Sequence, residues 1–317
     1  MHIVDKIQET SPKILVIGDI MLDRFIFGNV HRISPEAPVP IVCSLEEKYS
    51  LGGCGNVLRN FINLGGQASI VSLIGVDQAG SKIKNDLNKK GISTRHIVED
   101  VGVRTTEKMR IVAEGQQLVR VDWDASNFSD QNLNQVLKQV FKKIIGVDGV
   151  IISDYSKGIC TELVTKNIID KAKELRIPVF VDPKGKRWSK YSGASVITPN
   201  LKEAEEATGR VLISDEDIET AGKEICTDLS LDACLITRGP SGMSYISENI
   251  QFHIKSQAKE IYDVSGAGDT VIATFASGIL AGFDPQASVK LANKAAGIVV
   301  GHVGTTAITI SELKLLI

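Results

Sequence analysis

The sequence is poor in aromatic residues and has no excess of charge of either sign. Aromatic side chains make up 5% of the 317 residues, and 36 Lys and Arg residues face 38 Asp and Glu residues, for a net charge of −2. Proteins that bind the nucleic-acid backbone carry a basic surface, so this balance argues against a nucleic-acid partner. The five cysteines form no Cys-x-x-Cys pair, which argues against a zinc ribbon or a disulfide framework and predicts a reducing, cytoplasmic location. No stretch reaches the roughly 18 apolar residues of a membrane span, so we expect no membrane partner.

Glycine is frequent, with 28 copies, many of them beside short apolar runs. The first run, Lys13 to Ile17, is β-branched and ends at Gly18-Asp19, which is typical of a buried parallel strand. Helical patterns separate most of the similar runs that follow, at 68–73, 149–152, 178–181, 195–198 and 233–237. This alternation predicts an α/β fold with a mostly parallel sheet and with ligands beyond the carboxyl ends of its strands.

Two stretches interrupt the alternation and predict a small β-sheet lid. Residues 25–44 are rich in proline, and residues 104–122 contain two short β patterns around Glu114-Gly115, which favours a hairpin. Helical patterns then close the chain, at 268–281 and 285–301. No repeat or long linker divides the sequence, so we expect residues 1–317 to form a single domain with a lid.

The most informative segment for function is Asp263 to Thr270 (DVSGAGDT), which leads directly into an apolar helical pattern. The backbone N–H groups of Gly266, Ala267 and Gly268 would face outward at a helix N-terminus and stabilise phosphoryl charge. Asp269 beside them can accept the proton of an attacking sugar hydroxyl while a γ-phosphoryl group moves in line. The alternative is a loop with an N-cap aspartate, which the tetrapeptide GAGD alone allows equally well.

This octapeptide resembles the C-terminal signature of the ribokinase-like (PfkB) carbohydrate kinases. Gly52, Gly53 and Asn56 resemble the family's N-terminal Gly-Gly-x-x-x-Asn signature, with the asparagine one residue early, so either Asn56 or Asn60 fits its place. In the family this segment holds sugar hydroxyls, and Asp23 matches an aspartate that does the same. The resemblance implies a three-layer α/β/α sandwich and a phosphotransferase with an alcohol group as acceptor. It also implies ATP and Mg²⁺ as cofactors, and leaves open the monovalent cation that parts of the family use.

Further matches imply contacts to the nucleotide and the metal. Asn200 and Glu203 match a family segment whose asparagine and glutamate lie near Mg²⁺ and its waters, and Mg²⁺ commonly keeps several waters. The same spacing also fits a capping box at a helix start. The positions for which the resemblance implies cofactor binding are Lys184, Asn200, Thr237, Gly239, Gly242 and Asn293.

Residues Arg32 to Pro40 (RISPEAPVP) resemble a segment of the heptose 7-phosphate kinases of lipopolysaccharide precursor synthesis. Segments 18–23, 116–122 and 181–185 agree with the same subgroup, whereas Cys54-Gly55-Asn56 departs from it, since alanines are usual there. The resemblance implies ATP-dependent phosphorylation of the anomeric C1 hydroxyl of D-glycero-β-D-manno-heptose 7-phosphate to the 1,7-bisphosphate. Many members of the subgroup carry a C-terminal nucleotidyltransferase. Because the sequence ends at Ile317, we expect that enzyme to be a separate polypeptide.

A phosphorylated sugar requires cations, and for each candidate alone a solvated surface side chain is the alternative. The candidates for substrate binding are Lys108, Arg110, Arg120 and Lys157. Apolar hairpin residues such as Ile111 and Val119 favour pairing with a second copy, and the resemblance implies a homodimer joined through the lids. Two other interpretations stay open: a different ribokinase-like sugar or nucleoside kinase, and a non-catalytic sugar-binding protein on this fold.

Overall fold

Nine strands form one large sheet in this structure, a computed structural model that describes residues 3–124, 128–258, 261–302 and 304–314. The strands are β1 (Lys13–Gly18), β4 (Gln67–Gly75), β5 (Ile97–Asp100), β8 (Gly149–Ser153), β9 (Val179–Asp182), β10 (Val196–Ile197), β11 (Ala233–Thr237), β12 (Met243–Ser247) and β13 (Gln251–Ile254). Their order is β13-β12-β11-β10-β9-β8-β1-β4-β5, and only the β11–β12 and β12–β13 pairs are antiparallel. The mostly parallel sheet predicted from the alternating sequence pattern is confirmed.

Helices cover both faces of this sheet. They are α1 (Ile3–Thr10), α2 (Cys54–Asn63), α3 (Gln78–Lys89), α4 (Asp130–Lys143), α5 (Glu162–Glu174), α6 (Leu201–Thr208), α7 (Asp215–Leu229), α8 (Ala267–Leu280), α9 (Pro285–Val299) and α10 (Ile310–Lys314), with 3-10 turns at Trp188–Tyr191 and Gly239–Ser241.

Strand β1 shows why two helical layers form. Successive side chains of a strand point to opposite faces, so Ile14 and Val16 pack with α2, α3, α8 and α9, whereas Leu15 and Ile17 pack with α4, α5 and α7. All four side chains are buried, and each contributes about 1.5–3 kcal/mol by leaving water. The predicted three-layer α/β/α sandwich is confirmed.

Four further strands form the lid: β2 (Ile20–Ile33), β3 (Pro40–Gly53), β6 (Glu107–Ala113) and β7 (Gln116–Trp123), in the order β3-β2-β6-β7. The predicted hairpin is β6–β7, and its turn residues Glu114 and Gly115 both have positive φ, 51° and 75°, as a two-residue hairpin turn requires. The predicted limits 25–44 were too narrow. Two of the prolines in this stretch, Pro35 and Pro38, lie in the turn between two 14-residue strands, and the third, Pro40, is the first residue of β3.

Three regions were not predicted. Strand β5 forms one edge of the large sheet, beside β4. Helix α1 buries Val4 and Ile7 against Leu313 of α10, and the antiparallel strands β12 and β13 extend the sheet beyond β11. Among the helices of the described residues, none has the length and apolar character needed to cross a bilayer.

Candidate active site

The segment singled out in the sequence forms the N-terminus of α8, at the carboxyl ends of the parallel strands. Gly266 is the N-cap residue in a left-handed conformation (φ 79°), and a Cβ atom there would lie 2.6 Å from the Asn56 side-chain nitrogen. Both facts require glycine. Asp269 in the first helical turn is only 1% exposed.

Each carboxylate oxygen of Asp269 accepts a hydrogen bond from a neutral donor. The Asn56 Nδ2 group donates to Oδ2 at 2.9 Å, and the Tyr155 hydroxyl donates to Oδ1 at 2.8 Å. Burial raises the pKa of Asp269 to about 7, although both hydrogen bonds oppose this rise. A carboxylate with such a pKa can accept a proton near neutral pH.

The amides expected to form a phosphate cradle differ in their availability. The Ala267 N–H donates to the Val264 carbonyl at 3.2 Å, so this donor is engaged within the turn rather than pointing outward as we predicted. Gly268 is exposed, and the nearest atom to a Cβ built on it is Asp182 Oδ2, at 4.0 Å. The positive end of the α8 dipole still faces the space beside Gly268.

On the lid side, the predicted sugar-binding residue Asp23 is buried in an ion pair. Arg110 Nη1 lies 2.7 Å from Asp23 Oδ1, and the Thr305 hydroxyl donates to Oδ2 at 3.1 Å. Gly52 lies directly against this carboxylate, since a Cβ on Gly52 would approach Asp23 Oδ2 to 2.4 Å. The adjoining Gly53 is the N-cap residue of α2.

The structure decides which asparagine of the glycine segment reaches the site. Asn56, in the first turn of α2, bonds Asp269 as described. Asn60, one turn later, accepts hydrogen bonds from the Thr270 hydroxyl (3.2 Å) and the Ile308 amide (2.9 Å). It therefore connects α2 to α8 and to the segment that precedes α10. The departure from the family spacing thus leaves Asn56 beside the proposed base.

The other candidate cations, Lys108, Lys157 and Arg120, differ in their exposure and in the residue that each contacts. Lys108 lies over the Tyr155 ring, 5.6 Å from its centroid, and burial lowers the pKa of its ammonium group. Lys157, from the loop after β8, is paired with Asp124 at 2.7 Å. Arg120 lies on the mostly exposed strand β7, where its side chain is 49% exposed and pairs with Asp122 at 2.9 Å.

Two clefts that share lining residues adjoin the α8 N-terminus. One, of about 520 Å³, contains Asp182, Lys184, Asn200 and Glu203. The other, of about 350 Å³, contains Gly242, Asn293 and a group of apolar side chains, namely Met243, Ile261, Val264, Val271 and Val300. Thr237, Gly239, Val264, Ala267 and Gly268 line both. All six predicted cofactor-binding positions therefore lie along these two clefts.

Asn200 and Glu203 form the capping box that was the alternative interpretation of their spacing. Asn200 Oδ1 accepts from the Glu203 amide and Glu203 Oε2 accepts from the Asn200 amide, both at 2.9 Å. Lys184 Nζ lies 2.6 Å from Glu203 Oε1, and although burial lowers the pKa of Lys184, this ion pair raises it overall. Asn293 is also engaged, donating to the Lys255 carbonyl at 2.7 Å.

Three residues of this region were given no role in the sequence prediction. Tyr155 lies two residues after the buried strand β8, Asp182 is the last residue of β9, and Asp19 directly follows β1. Burial raises the pKa of Asp182 well above its ordinary value and that of Asp19 to about 6. The signal that would have found them is their shared position, since polar residues at the carboxyl ends of parallel strands converge on one edge of the sheet.

Comparison with known proteins agrees with this architecture. The family model "pfkB family carbohydrate kinase" matches residues 11–312. The curated "Bifunctional protein HldE" of Mesorhizobium japonicum is 42% identical over 301 residues, and that of Caulobacter vibrioides 43% identical over 303 residues. Each alignment covers 95% of this chain, but the chain spans only 61% and 62% of the respective relatives.

Solved structures show the same fold at low sequence identity. Phosphofructokinase-2 from Escherichia coli in complex with fructose-6-phosphate superposes with a TM-score of 0.80 at 18% identity, covering 96% of this chain and 97% of that one. Ribokinase from Arabidopsis thaliana with ribose and ATP gives 0.74 at 19% identity, with coverage of 96% and 99%. The chain belongs to the pfkB family of carbohydrate kinases, and its predicted class, a phosphotransferase acting on an alcohol group, is confirmed.

Proposed function

We propose that residues 1–317 act as one kinase unit that transfers the γ-phosphoryl group of ATP to the anomeric C1 hydroxyl of D-glycero-β-D-manno-heptose 7-phosphate. The product is the 1,7-bisphosphate. The observation that carries the kinase proposal is the buried Asp269 at the N-terminus of α8, between the lid and the two clefts.

The reaction assigns one task to each side of this site. Asp269 takes the proton of the C1 hydroxyl, the resulting oxygen forms a bond to the γ-phosphorus, and the bond between that phosphorus and the β,γ-bridging oxygen breaks to release ADP. The helix dipole and the first-turn amide of Gly268 stabilise the charge on the moving phosphoryl group. The buried surroundings strengthen these interactions because they exclude water.

The clefts fit ATP with Mg²⁺ in outline. The apolar cleft beside Val271 and Asn293 suits an adenosine moiety, and the cleft beside Lys184 suits the triphosphate. Both Glu203 carboxylate oxygens already accept hydrogen bonds, so Asn200 and Glu203 fit as partners of the ion's waters rather than of the ion itself. When bound, Mg²⁺ neutralises the phosphate charge and orients the γ-phosphoryl group.

The heptose assignment is supported by the sequence resemblance and by the cations near Asp23. Lys108 of β6 lies near Asp23 and over the Tyr155 ring, Arg110 of β6 is paired with Asp23, and Lys157 lies in the loop after β8, two residues beyond Tyr155. Arg32 to Pro40 forms the turn between β2 and β3, about 30 Å along the strand from Asp23, and most of it is exposed. Its hydrogen bonds, in the part of the chain that the structure describes, stay within this turn and the two flanking strands. Its value as a marker of the subgroup rests on sequence alone.

The exposed apolar side chains of the lid support the proposed homodimer. Ile33, Val39, Leu45, Tyr49, Leu118 and Val119 are between 39% and 71% exposed. Such a surface is typical of one that pairs with another protein, and a second copy would cover it by symmetry. Sedimentation should therefore give twice the chain mass, and a monomer at micromolar concentration would contradict the dimer.

A substrate panel tests the proposed function. The purified protein is incubated with ATP, Mg²⁺ and heptose 7-phosphate, ribose, adenosine or fructose 6-phosphate, and ADP release is followed. We expect turnover confined to the heptose and a new phosphorus resonance coupled to the C1 proton, with Asp269→Asn protein as the control for contaminating kinases. Turnover on another acceptor would refute the heptose assignment. Turnover on none of them would favour the binding-protein interpretation.

A further inference from the structure

Tyr155 connects the lid to the proposed base. Its hydroxyl donates to Asp269 Oδ1 at 2.8 Å, and Lys108 of the lid strand β6 lies above its ring. Nothing in the reaction as written above uses this tyrosine. Burial raises the pKa of the Tyr155 phenol well above its ordinary value, so the group stays protonated and remains a donor.

The backbone around Tyr155 is held firmly enough for this contact to be specific. Buried Asp19 accepts hydrogen bonds from the amides of Tyr155 (2.9 Å), Lys157 (3.0 Å) and Ile159 (3.1 Å). The loop after β8 is therefore folded around a carboxylate at the end of β1. Three hydrogen bonds to one buried carboxylate restrict the backbone of this loop. They therefore fix the backbone position from which the Tyr155 side chain extends.

The groups around Asp269 make its ionised form costly. Asp23 of β2 adds negative charge, and Lys108 of β6 adds positive charge. Asp182 of β9 is a second nearby carboxyl group, and its own pKa is raised by burial and by Asp269. Asn56 of α2 and Tyr155 supply the two neutral donors. A hydrogen bond to the charged form stabilises that form, so each donor offsets part of the cost of burial.

We propose that Tyr155 is a positioning residue, whose hydroxyl orients the Asp269 carboxylate and keeps it ionised at the pH at which the kinase works. This inference rests on the proposed function, because orientation matters only if Asp269 accepts a proton. It assigns to Tyr155 no contact with the sugar or with ATP.

The test is the pH dependence of kcat/KM in the Tyr155→Phe variant, which keeps the ring and removes the hydroxyl. Loss of one donor raises the pKa of Asp269, so the acid limb should move upward by about one pH unit, a loss of about tenfold in rate at pH 6. At pH 9 the two enzymes should differ much less, and KM for ATP should be unchanged.

Tyr191→Phe is a matched control, because it removes a buried tyrosine hydroxyl that donates to a different buried carboxylate, Asp154, at 2.6 Å. Its acid limb should coincide with that of the unmodified enzyme. Incorporation of 3,5-difluorotyrosine at position 155 provides the opposite change, since a more acidic phenol is a stronger donor, and should move the limb to lower pH. It also keeps the test available if Tyr155→Phe protein does not fold.

An unshifted acid limb in Tyr155→Phe protein, or an equal loss of rate at every pH, would overturn the inference and leave Tyr155 a structural residue. Titration of the Asp269 carboxyl group by infrared difference spectroscopy against Asp269→Asn protein gives the same pKa comparison without turnover. An inactive unmodified enzyme with the expected spectroscopic shift would thus refute the proposed function and not the effect of Tyr155 on Asp269.

Discussion

The sheet edge and the lid bury carboxylates in opposite ways. At the sheet edge, Asp269 and Asp19 accept hydrogen bonds from neutral donors, and burial raises their pKa values to about 7 and about 6. On the lid, Asp23 is paired with Arg110 at 2.7 Å. Neutral donors leave a carboxylate able to exchange a proton, whereas an ion pair provides a fixed charge for structure and recognition. The difference supports the proposal that proton transfer takes place at the sheet edge and substrate recognition at the lid.

The sharpest way to break this comparison is to remove the proton acceptor at the sheet edge. Asp269→Asn should reduce kcat by at least about a hundredfold, since a general base contributes about 10²–10⁴ in rate, while ATP binding persists. Turnover and nucleotide affinity, the latter by calorimetry, measure the two effects separately. Near-normal turnover would remove Asp269 from the mechanism.

The lid should lose stability when its ion pair is broken. Arg110→Met leaves the buried Asp23 carboxylate without its cation and should lower the free energy of unfolding by about 3 kcal/mol. The matched variant Arg120→Met breaks an exposed pair on the same hairpin and should cost less than about 1 kcal/mol. Urea unfolding measures both. Equal costs would show that the Asp23–Arg110 pair is solvated in solution.

A smaller effect on kcat should distinguish two glycines that share a positive φ, Gly266 and Gly209. Gly266→Ala should strain the backbone by about 1–2 kcal/mol and also displace Asn56 from Asp269, so we expect a drop of about tenfold in kcat. Gly209, which caps α6 at φ 66° with no atom within 4 Å of a Cβ, provides the control. Gly209→Ala should lower the melting temperature alone. An unchanged kcat in Gly266→Ala protein would mean that the Asn56 contact is dispensable.

Local signals in the sequence were enough to predict the sheet, the hairpin and the α8 segment. A β-branched run that ends in glycine predicts a strand such as β1. A group of small residues before an apolar helical pattern predicts the start of α8. The predicted limits missed the inner parts of β2 and β3, residues 20–24 and 45–53. Residues 20–23 are all buried and residues 45–49 are all exposed, so neither stretch shows the alternation that predicts a lid strand.

The residues that the sequence missed depend on long-range contacts. Tyr155 and Asp269 are 114 positions apart, and the packing of α8 against β8 and β9 brings the α8 N-terminus to the loop that follows β8. The choice of Asn56 over Asn60 depends on the helical phase of α2 relative to α8, which spacing alone does not give. The engaged Ala267 amide likewise depends on the shape of the turn before the helix.

The pH dependence of kcat/KM for the sugar in the unmodified and Asp269→Asn enzymes tests the central claim most directly. The pKa of Asp269 is raised to about 7, and the ionised form is the active one, so the rate should fall tenfold per pH unit as the pH drops below about 7. In Asp269→Asn protein the residual rate should show no such limb. An identical limb in both proteins would assign the titration to another group and contradict the account of Asp269 as the base.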